Sequence, residues 1–267
     1  MRYGLIAGGG SFPLLSLRAA REAGHEMTVV AVKEEAAPEI EELSDSCHWL
    51  SLGQLSKAIE VFRSAGVTEA VMAGRIQHKQ IYSAIRPDWR LVKVLNNLRR
   101  KNTDSLLGAV TQVFEDEGIA ILDSTFFLAG SLAREGANGR RKPSQDECKD
   151  IEYGREVAAA LAGHDIGQSV VICEQACVAV EAMEGTDAVL ARAGELANGR
   201  RLTLIKLAKP GQDMRFDVPV IGPRTIRKMR RVNATAVAVE AGKTLLLEKD
   251  ELLGEADGAG IAVVGSG

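Results

Sequence analysis

Three consecutive glycines, Gly8-Gly9-Gly10, close a short apolar run from Tyr3 to Ala7, and Pro13 then opens a helical pattern to Ala23 with Leu14, Leu17 and Ala20 on one face. Strand, glycine turn, helix is the opening of a nucleotide-binding α/β unit, and it restricts what the rest of the chain can build. Glycines let backbone N–H groups come close to a phosphate, and Ser11 stands where a helix cap belongs. The G-x-G-x-x-G pattern is incomplete, because its third glycine position is Pro13. No acidic residue clearly ends the second apolar run either, since Met27 to Val32 continues into Lys33-Glu34-Glu35. A tight turn without a ligand accounts for the same residues.

Helix and strand patterns keep alternating. Gln54 to Ala65 is amphipathic and stops at Gly66; Glu69 to Ala73 reads as a strand ending at Gly74-Arg75; Thr103 to Glu117 reads as a helix and Ile119 to Leu122 as a strand. Strands separated by helices predict a parallel, doubly wound sheet, with ligands at the carboxyl ends of its strands. Gly8–Gly10, Gly74-Arg75 and Asp123-Ser124 then share one rim.

Between these elements, Ile85 to Asn102 carries Arg86, Arg90, Lys93, Arg99, Arg100 and Lys101 against the single acid Asp88. Trp89, Val92, Leu95 and Leu98 can share an apolar face. Basic amphipathic helices bind membrane surfaces or anionic ligands, while an ordinary surface helix would turn that face to the core.

Gly130 to Ser144 is rich in glycine and charge without apolar period, and reads as a linker. The predicted organisation is therefore an N-terminal Rossmann-like α/β domain over 1–129, the linker 130–144, and a C-terminal mixed α/β domain over 145–267 carrying a charged loop. In that second half a helix is expected over Gln145 to Ala162, a hairpin around Glu174-Gln175, and a helix over Ala188 to Leu196 capped by Thr186 or Asp187. Strand or helix patterns follow over Ala236 to Val239, Thr244 to Leu247, Asp250 to Ala256 and Ile261 to Val264.

The charged loop runs from Lys206 to Gly222. It combines Lys206, Lys209, Arg215, Gln212, Asp213 and Asp217 between apolar runs, with Pro210, Gly211 and Pro219 opposing regular structure. Cations there can hold a phosphate, and a carboxylate beside them can hold a metal or orient water. A solvated loop with mutually paired charges fits the composition equally.

The net charge of −3 gives no general basic field for nucleic acid. Cys47, Cys148, Cys173 and Cys177 form no C-x-x-C pair, and no His stands at zinc-ligand spacing, so buried free thiols in a reducing compartment are expected. No apolar run is long enough to span a bilayer and the N-terminus lacks a leader pattern, so a cytoplasmic protein is expected.

Four segments together resemble one family: the opening GLIAGGG…P, VMAGRI at 71–76, EAMEGTDAVL at 181–190 and KLAKPGQDMRFDVPVIGPRTI at 206–226. The chain resembles the UDP-2,3-diacylglucosamine pyrophosphatases of lipid A synthesis that are not built on the metallophosphoesterase fold. The resemblance implies Mg²⁺-dependent hydrolysis of UDP-2,3-diacylglucosamine to UMP and 2,3-diacylglucosamine 1-phosphate (lipid X). It implies two domains that close on the lipid, and a peripheral protein of the inner membrane surface; a homodimer is left open. The family's catalytic aspartate lies in R-x-D-x-P-x-I-G, which here makes Asp217 the catalytic and metal-binding residue. Matched motif positions make Gly9, Gly10, Ala73, Gly74, Asp104, Glu181, Thr186, Asp187, Lys206, Lys209 and Gln212 the substrate-binding set. Arg75 and Asn102 depart from the family's usual residues, and Asn102 bears on the turn before Asp104.

The metallophosphoesterase alternative needs D-x-H and G-N-H motifs, and His25, His48, His78 and His164 stand in neither. A non-catalytic nucleotide-sugar or dinucleotide-binding protein and an NAD-dependent oxidoreductase are the rivals. The missing third glycine and ribose acid count against the dinucleotide versions.

Overall fold

The computed structural model describes residues 1–76, 87–98 and 103–267. Two compact units are present: Met1–Ala129 together with Asp213–Asp217, and Gly130–Gln212 together with Val218–Gly267.

The first unit begins with β1 (Arg2–Ala7), α1 (Phe12–Glu22), β2 (Glu26–Val32), the single turn α2 (Ile40–Leu43), β3 (Ser46–Leu50), α3 (Leu55–Ser64) and β4 (Glu69–Ala73). It continues with α4 (Trp89–Asn97), α5 (Thr103–Asp116) and β5 (Ala120–Ile121). The five strands lie in the order β3-β2-β1-β4-β5, all parallel. This is the predicted Rossmann-like sheet. β1 is central because both faces of Leu5 and its neighbours are covered, the pattern of a strand buried on two sides. α3 lays Leu55, Ala58, Ile59 and Phe62 on the sheet, an i, i+3, i+4, i+7 stripe, and Phe62 meets Phe114 of α5 with ring centroids 6.0 Å apart.

α4 divides its apolar residues. Trp89, Val92 and Leu95 of the expected apolar face point to solvent with Leu98 half-buried, and it is a second pair, Leu91 and Val94, that is buried against the core. The Asp88 side chain caps this helix by accepting from the Leu91 N–H at 3.0 Å. Arg86, Arg99, Arg100 and Lys101, counted in the basic stretch, lie outside the described residues, as does Asn102.

The second unit contains β6 (Gly136–Ala137), α6 (Gln145–Gly163), β7 (Ser169–Cys173), β8 (Ala176–Val180), α7 (Thr186–Ala197) and β9 (Leu202–Lys206). After them come β10 (Val220–Ile221), α8 (Pro223–Arg231), β11 (Ala234–Glu240), β12 (Leu245–Leu246), α9 (Lys249–Gly258) and β13 (Ala262–Ser266). Its main sheet has the order β6-β13-β11-β9-β7-β8. β13, β11 and β9 run parallel, while β6, β7 and β8 pair antiparallel with their neighbours, so the sheet is mixed. Residues 130–144 belong to this unit: β6 extends the sheet, and Ala133 is buried in the core.

Glu174 and Gln175 form the expected hairpin turn, both with positive φ (51° and 59°), as a two-residue primed turn requires. In that hairpin Cys173 faces Ala176 rather than Cys177, and both thiols are free. Cys148 departs from the expected burial: the period of α6 turns Glu147 and Asp150 inward and Cys148 out to solvent.

Candidate active site

The carboxyl ends of β1 and β4 are joined to each other by their backbones. The Gly8 N–H donates to the Ala73 carbonyl at 2.8 Å, the Gly9 N–H to the Arg75 carbonyl at 2.8 Å, and the Arg75 N–H to the Gly9 carbonyl at 3.0 Å. Two glycines are sterically required here. A Cβ on Gly8 would lie 2.6 Å from the Arg75 oxygen, and one on Gly74, at φ +93°, 2.8 Å from the Gly9 oxygen. Gly10 differs: its φ is +92° and the space beyond its Cα is open. Gly9, Gly10, Ala73 and Gly74 thus meet where the strand order reverses between β1 and β4, the position at which open α/β sheets bind ligands.

The segment Asp213–Asp217 belongs to this same unit. Ser124 follows β5 on that rim and fastens it twice: its N–H donates to the Met214 carbonyl at 2.9 Å, and its Oγ to the Arg215 carbonyl at 2.8 Å. Phe216 packs against the first unit's core. The Arg215 guanidinium donates to Asp213 and reaches Glu115 at 2.6 Å. It therefore braces the segment. The Arg215 side-chain hydrogen bond holds the Asp213 carboxyl below its ordinary pKa, and the same bond raises that of Arg215. The Asp217 N–H donates to the Asp213 carbonyl at 2.9 Å, closing the turn that presents Asp217. Asp104 stands in the first turn of α5.

In the second unit, four residues gather where β9 ends and α7 begins. Register pairs Lys206 with Ser169 across β9 and β7. The Lys206 Nζ donates to Thr186 Oγ1 at 3.0 Å, and Thr186 Oγ1 donates to Glu181 Oε1 at 3.2 Å. Ser169 Oγ lies 3.2 Å from the same Thr186 oxygen. Thr186 has one proton, so its bond to Glu181 leaves it the acceptor for both Lys206 and Ser169. Lys206 and Glu181 are each only 8% exposed, and Glu181 Oε2 is buried with no hydrogen-bond partner. A buried lysine and a buried carboxylate with one unsatisfied oxygen, joined by a hydroxyl, form a polar cluster of the kind that functional sites hold.

Other predicted residues take different positions. Neither Thr186 nor Asp187 caps α7. Gly185 is its N-cap at φ +84°, with no side-chain cap; Thr186 serves the cluster just described, and Asp187 pairs with Arg224 at 2.6 Å. Lys209 pairs with Asp165 at 2.7 Å, and the Gln212 side-chain oxygen accepts from the Lys209 N–H at 2.6 Å, folding the loop back on itself.

Sequence reasoning missed Ser169 and the fastening by Ser124. Ser169 becomes visible only through its register with Lys206. It also passed over Glu35, which lies against Gly9: a Cβ on Gly9 would meet the Glu35 carbonyl oxygen at 3.0 Å and Oε2 at 3.3 Å. Among the described residues no three His, Cys, Asp or Glu side chains gather to enclose a metal.

Two family models match the chain, one described as the LpxI N-terminal domain over residues 2–131 and one as the LpxI C-terminal domain over residues 134–264. A Caulobacter vibrioides protein named UDP-2,3-diacylglucosamine pyrophosphatase LpxI is 33% identical over 274 residues, covering 99% of this chain and 97% of that protein. Among solved structures, the biotin carboxylase domain of Hydrogenobacter thermophilus 2-oxoglutarate carboxylase is similar over 73% of this chain and 41% of its own, at 12% identity and a TM-score of 0.30. A Pseudomonas aeruginosa nucleoside-diphosphate-sugar epimerase is similar over 99% of this chain and 88% of its own, at 9% identity and a TM-score of 0.30. At those scores neither structural likeness bears on function.

Proposed function

The chain belongs to the LpxI family, and on that premise we propose that it is a UDP-2,3-diacylglucosamine pyrophosphatase of lipid A synthesis, releasing UMP and 2,3-diacylglucosamine 1-phosphate with Mg²⁺. The observation that carries this reading is the fastening of the Asp213–Asp217 segment by Ser124 on the carboxyl rim of the first unit's sheet. A catalytic carboxylate has to be held in one geometry, and this segment has two backbone carbonyls bound, a phenylalanine in the core and an arginine brace.

Asp217 is assigned the carboxylate role: it would hold Mg²⁺ or orient the attacking water. Mg²⁺ commonly takes one or two carboxylates together with phosphate oxygens and waters, a donor set to which Asp217 and a pyrophosphate would contribute. When bound, it would neutralise pyrophosphate charge and template in-line attack. The loops Gly8–Gly10 and Gly74-Arg75 are assigned to the nucleotide end of the substrate. Lys206, Thr186 and Glu181, which the second unit holds together, keep their place in the substrate-binding set, Lys206 as a cation and Glu181 as an acceptor.

The acyl chains of such a substrate lie in a bilayer, and no helix of the described residues is long and apolar enough to cross one. Reversible contact with the membrane surface through α4 belongs to this proposal, since it presents Trp89, Val92 and Leu95 to solvent.

The deciding experiment incubates the protein with UDP-2,3-diacylglucosamine and Mg²⁺ and follows UMP. Release of UMP that stops in EDTA supports the reading; no release, or full activity in excess chelator, sinks the reaction or its metal requirement. In ¹⁸O water the label is expected in the lipid phosphate, since attack is assigned to the sugar-side phosphorus. Label in UMP would move the attack to the other phosphorus.

A further inference from the structure

We infer that Glu35 is the residue that recognises the ribose hydroxyls of the nucleotide, a role that rests on the pyrophosphatase reading above and that sequence reasoning left unfilled. β2 stops at Val32, and the chain turns at once: the Glu35 and Ala36 N–H groups both donate to the Val32 carbonyl, at 3.0 and 2.8 Å. That turn brings residue 35 beside the carboxyl end of the central strand β1. A Cβ built on Gly9 would lie 3.0 Å from the Glu35 carbonyl oxygen and 3.3 Å from its Oε2, so the Glu35 carboxylate lies beside the glycine turn. Gly9 is thus crowded on one side by the Glu35 backbone, while its own N–H and carbonyl bond Arg75 on the other.

The choice between the two adjacent acids is made by geometry. Glu34 Oε2 accepts from the Leu52 N–H at 3.2 Å and so belongs to the loop after β3. Glu35 is the one whose carboxylate lies over the glycine turn. In a parallel sheet whose order reverses beside β1, a ligand in the crevice has its phosphates at the glycine turn and its ribose toward the end of the neighbouring strand, β2. A carboxylate is an acceptor only, with two oxygens, and a ribose 2′,3′-diol offers two O–H donors, so the pair is chemically matched. The turn at Val32 sets the acid three positions beyond the apolar run, so the strand's end in the sequence does not mark it.

A site built to hydrogen-bond a hydroxyl discriminates against the analogue lacking it. The test measures binding of UMP and of 2′-deoxy-UMP by calorimetry to the wild-type protein and to Glu35→Gln and Glu35→Ala, with thermal melts to establish that the variants fold. The wild type is expected to prefer UMP by about tenfold or more, since hydrogen bonds to charged groups carry at least that much. Glu35→Ala is expected to bring the ratio close to one, with Glu35→Gln in between because its amide oxygen still accepts. A residue that merely supported the turn would weaken both nucleotides equally and leave the ratio unchanged, and that result overturns the assignment. A wild type that binds both nucleotides equally overturns it as well. The two readings fail separately: UMP release from UDP-2,3-diacylglucosamine without 2′-hydroxyl preference removes Glu35 and keeps the enzyme. Absence of UMP release removes the enzyme, whatever the binding ratio.

Discussion

The Ser124 hydroxyl donates a 2.8 Å hydrogen bond to the carbonyl of Arg215, 91 positions further along the chain. With the bond from the Ser124 N–H to the Met214 carbonyl, this one residue fixes the turn that ends in Asp217 to the rim carrying the two glycine loops. The fastening uses backbone carbonyls, so it sets the path of the segment without competing for the Asp217 carboxylate.

Asp217→Asn should keep the fold and lose turnover by about a thousandfold or more, the scale on which losing a preorganised charge acts on the transition state. Ser124→Ala should cost about 1 kcal/mol of stability and lower kcat more than it changes KM, because a loosened carboxylate misplaces chemistry rather than affinity. Retention by Asp217→Asn of more than about a tenth of wild-type UMP release, a difference of about 1.4 kcal/mol, would remove it from catalysis.

Thr186 is the shared partner of Lys206, Glu181 and Ser169, so Thr186→Val strips one buried cation and one buried carboxylate of a contact at nearly constant volume. The expected cost is about 1–3 kcal/mol in denaturant unfolding, with kcat/KM reduced about tenfold or more. Thr186→Ser, which keeps the hydroxyl, should recover most of both. Indistinguishable Val and Ser variants would mean that the hydroxyl links nothing of consequence.

Acid stability should depend on Glu147, whose side chain is 0% exposed. Burial alone raises its pKa, but hydrogen bonds from Arg141, Thr235 and the Ser144 backbone outweigh that and bring it below the ordinary value. A carboxyl depressed in the folded state contributes its full stability above the unfolded pKa of about 4.3 and loses it as pH falls through the folded value. Glu147→Gln should therefore be less stable than wild type by about 3 kcal/mol near neutral pH, at the low end of buried-pair losses because Arg141 and Arg201 still reach solvent. Melts from pH 7 to about 3 should show the two proteins converging. A gap that stays constant with pH would show that Glu147 acts through packing alone.

In the first unit β1, β2 and β4 were legible because they are buried, and α3 because it carries a regular apolar stripe; β3 (Ser46–Leu50), half-buried with His48 exposed, offers no continuous apolar run and is not among the elements read from the sequence. The glycine turn was legible as a turn. Its pairing with Gly74-Arg75, however, is a contact between loops some 65 residues apart, which period and propensity do not encode. The same holds for Ser124 and Arg215. Thr186 was misread as a cap because a threonine preceding a helical run has two competing uses. The partner Lys206, brought over by strand register, decides between them. Arg90 in the basic stretch is a similar case. It binds Glu117 and lies over the Trp89 ring at 5.0 Å, so it is already engaged rather than waiting for a lipid headgroup.

That correction sharpens the expectation for the membrane. With Arg90 committed to Glu117, contact through α4 must come from Trp89, Val92 and Leu95, with Lys93 beside them. Trp89 is 66% exposed, although burial of a large apolar side chain is worth about 1.5–3 kcal/mol, so the helix leaves that free energy unclaimed in water. Leu91 and Val94 already hold the helix on the core, and the outer face can change without unfolding it. Trp89→Ser with Leu95→Ser should therefore leave the melting temperature within a few degrees of wild type. The same pair should weaken co-sedimentation with anionic vesicles by about tenfold or more. Raising salt should weaken binding further through Lys93, because attraction between a lysine and an anionic surface is about 1 kcal/mol and is screened within a Debye length. Vesicle binding that survives the double substitution would place the lipid contact elsewhere, and no binding at low salt would leave the outer face of α4 without a membrane role.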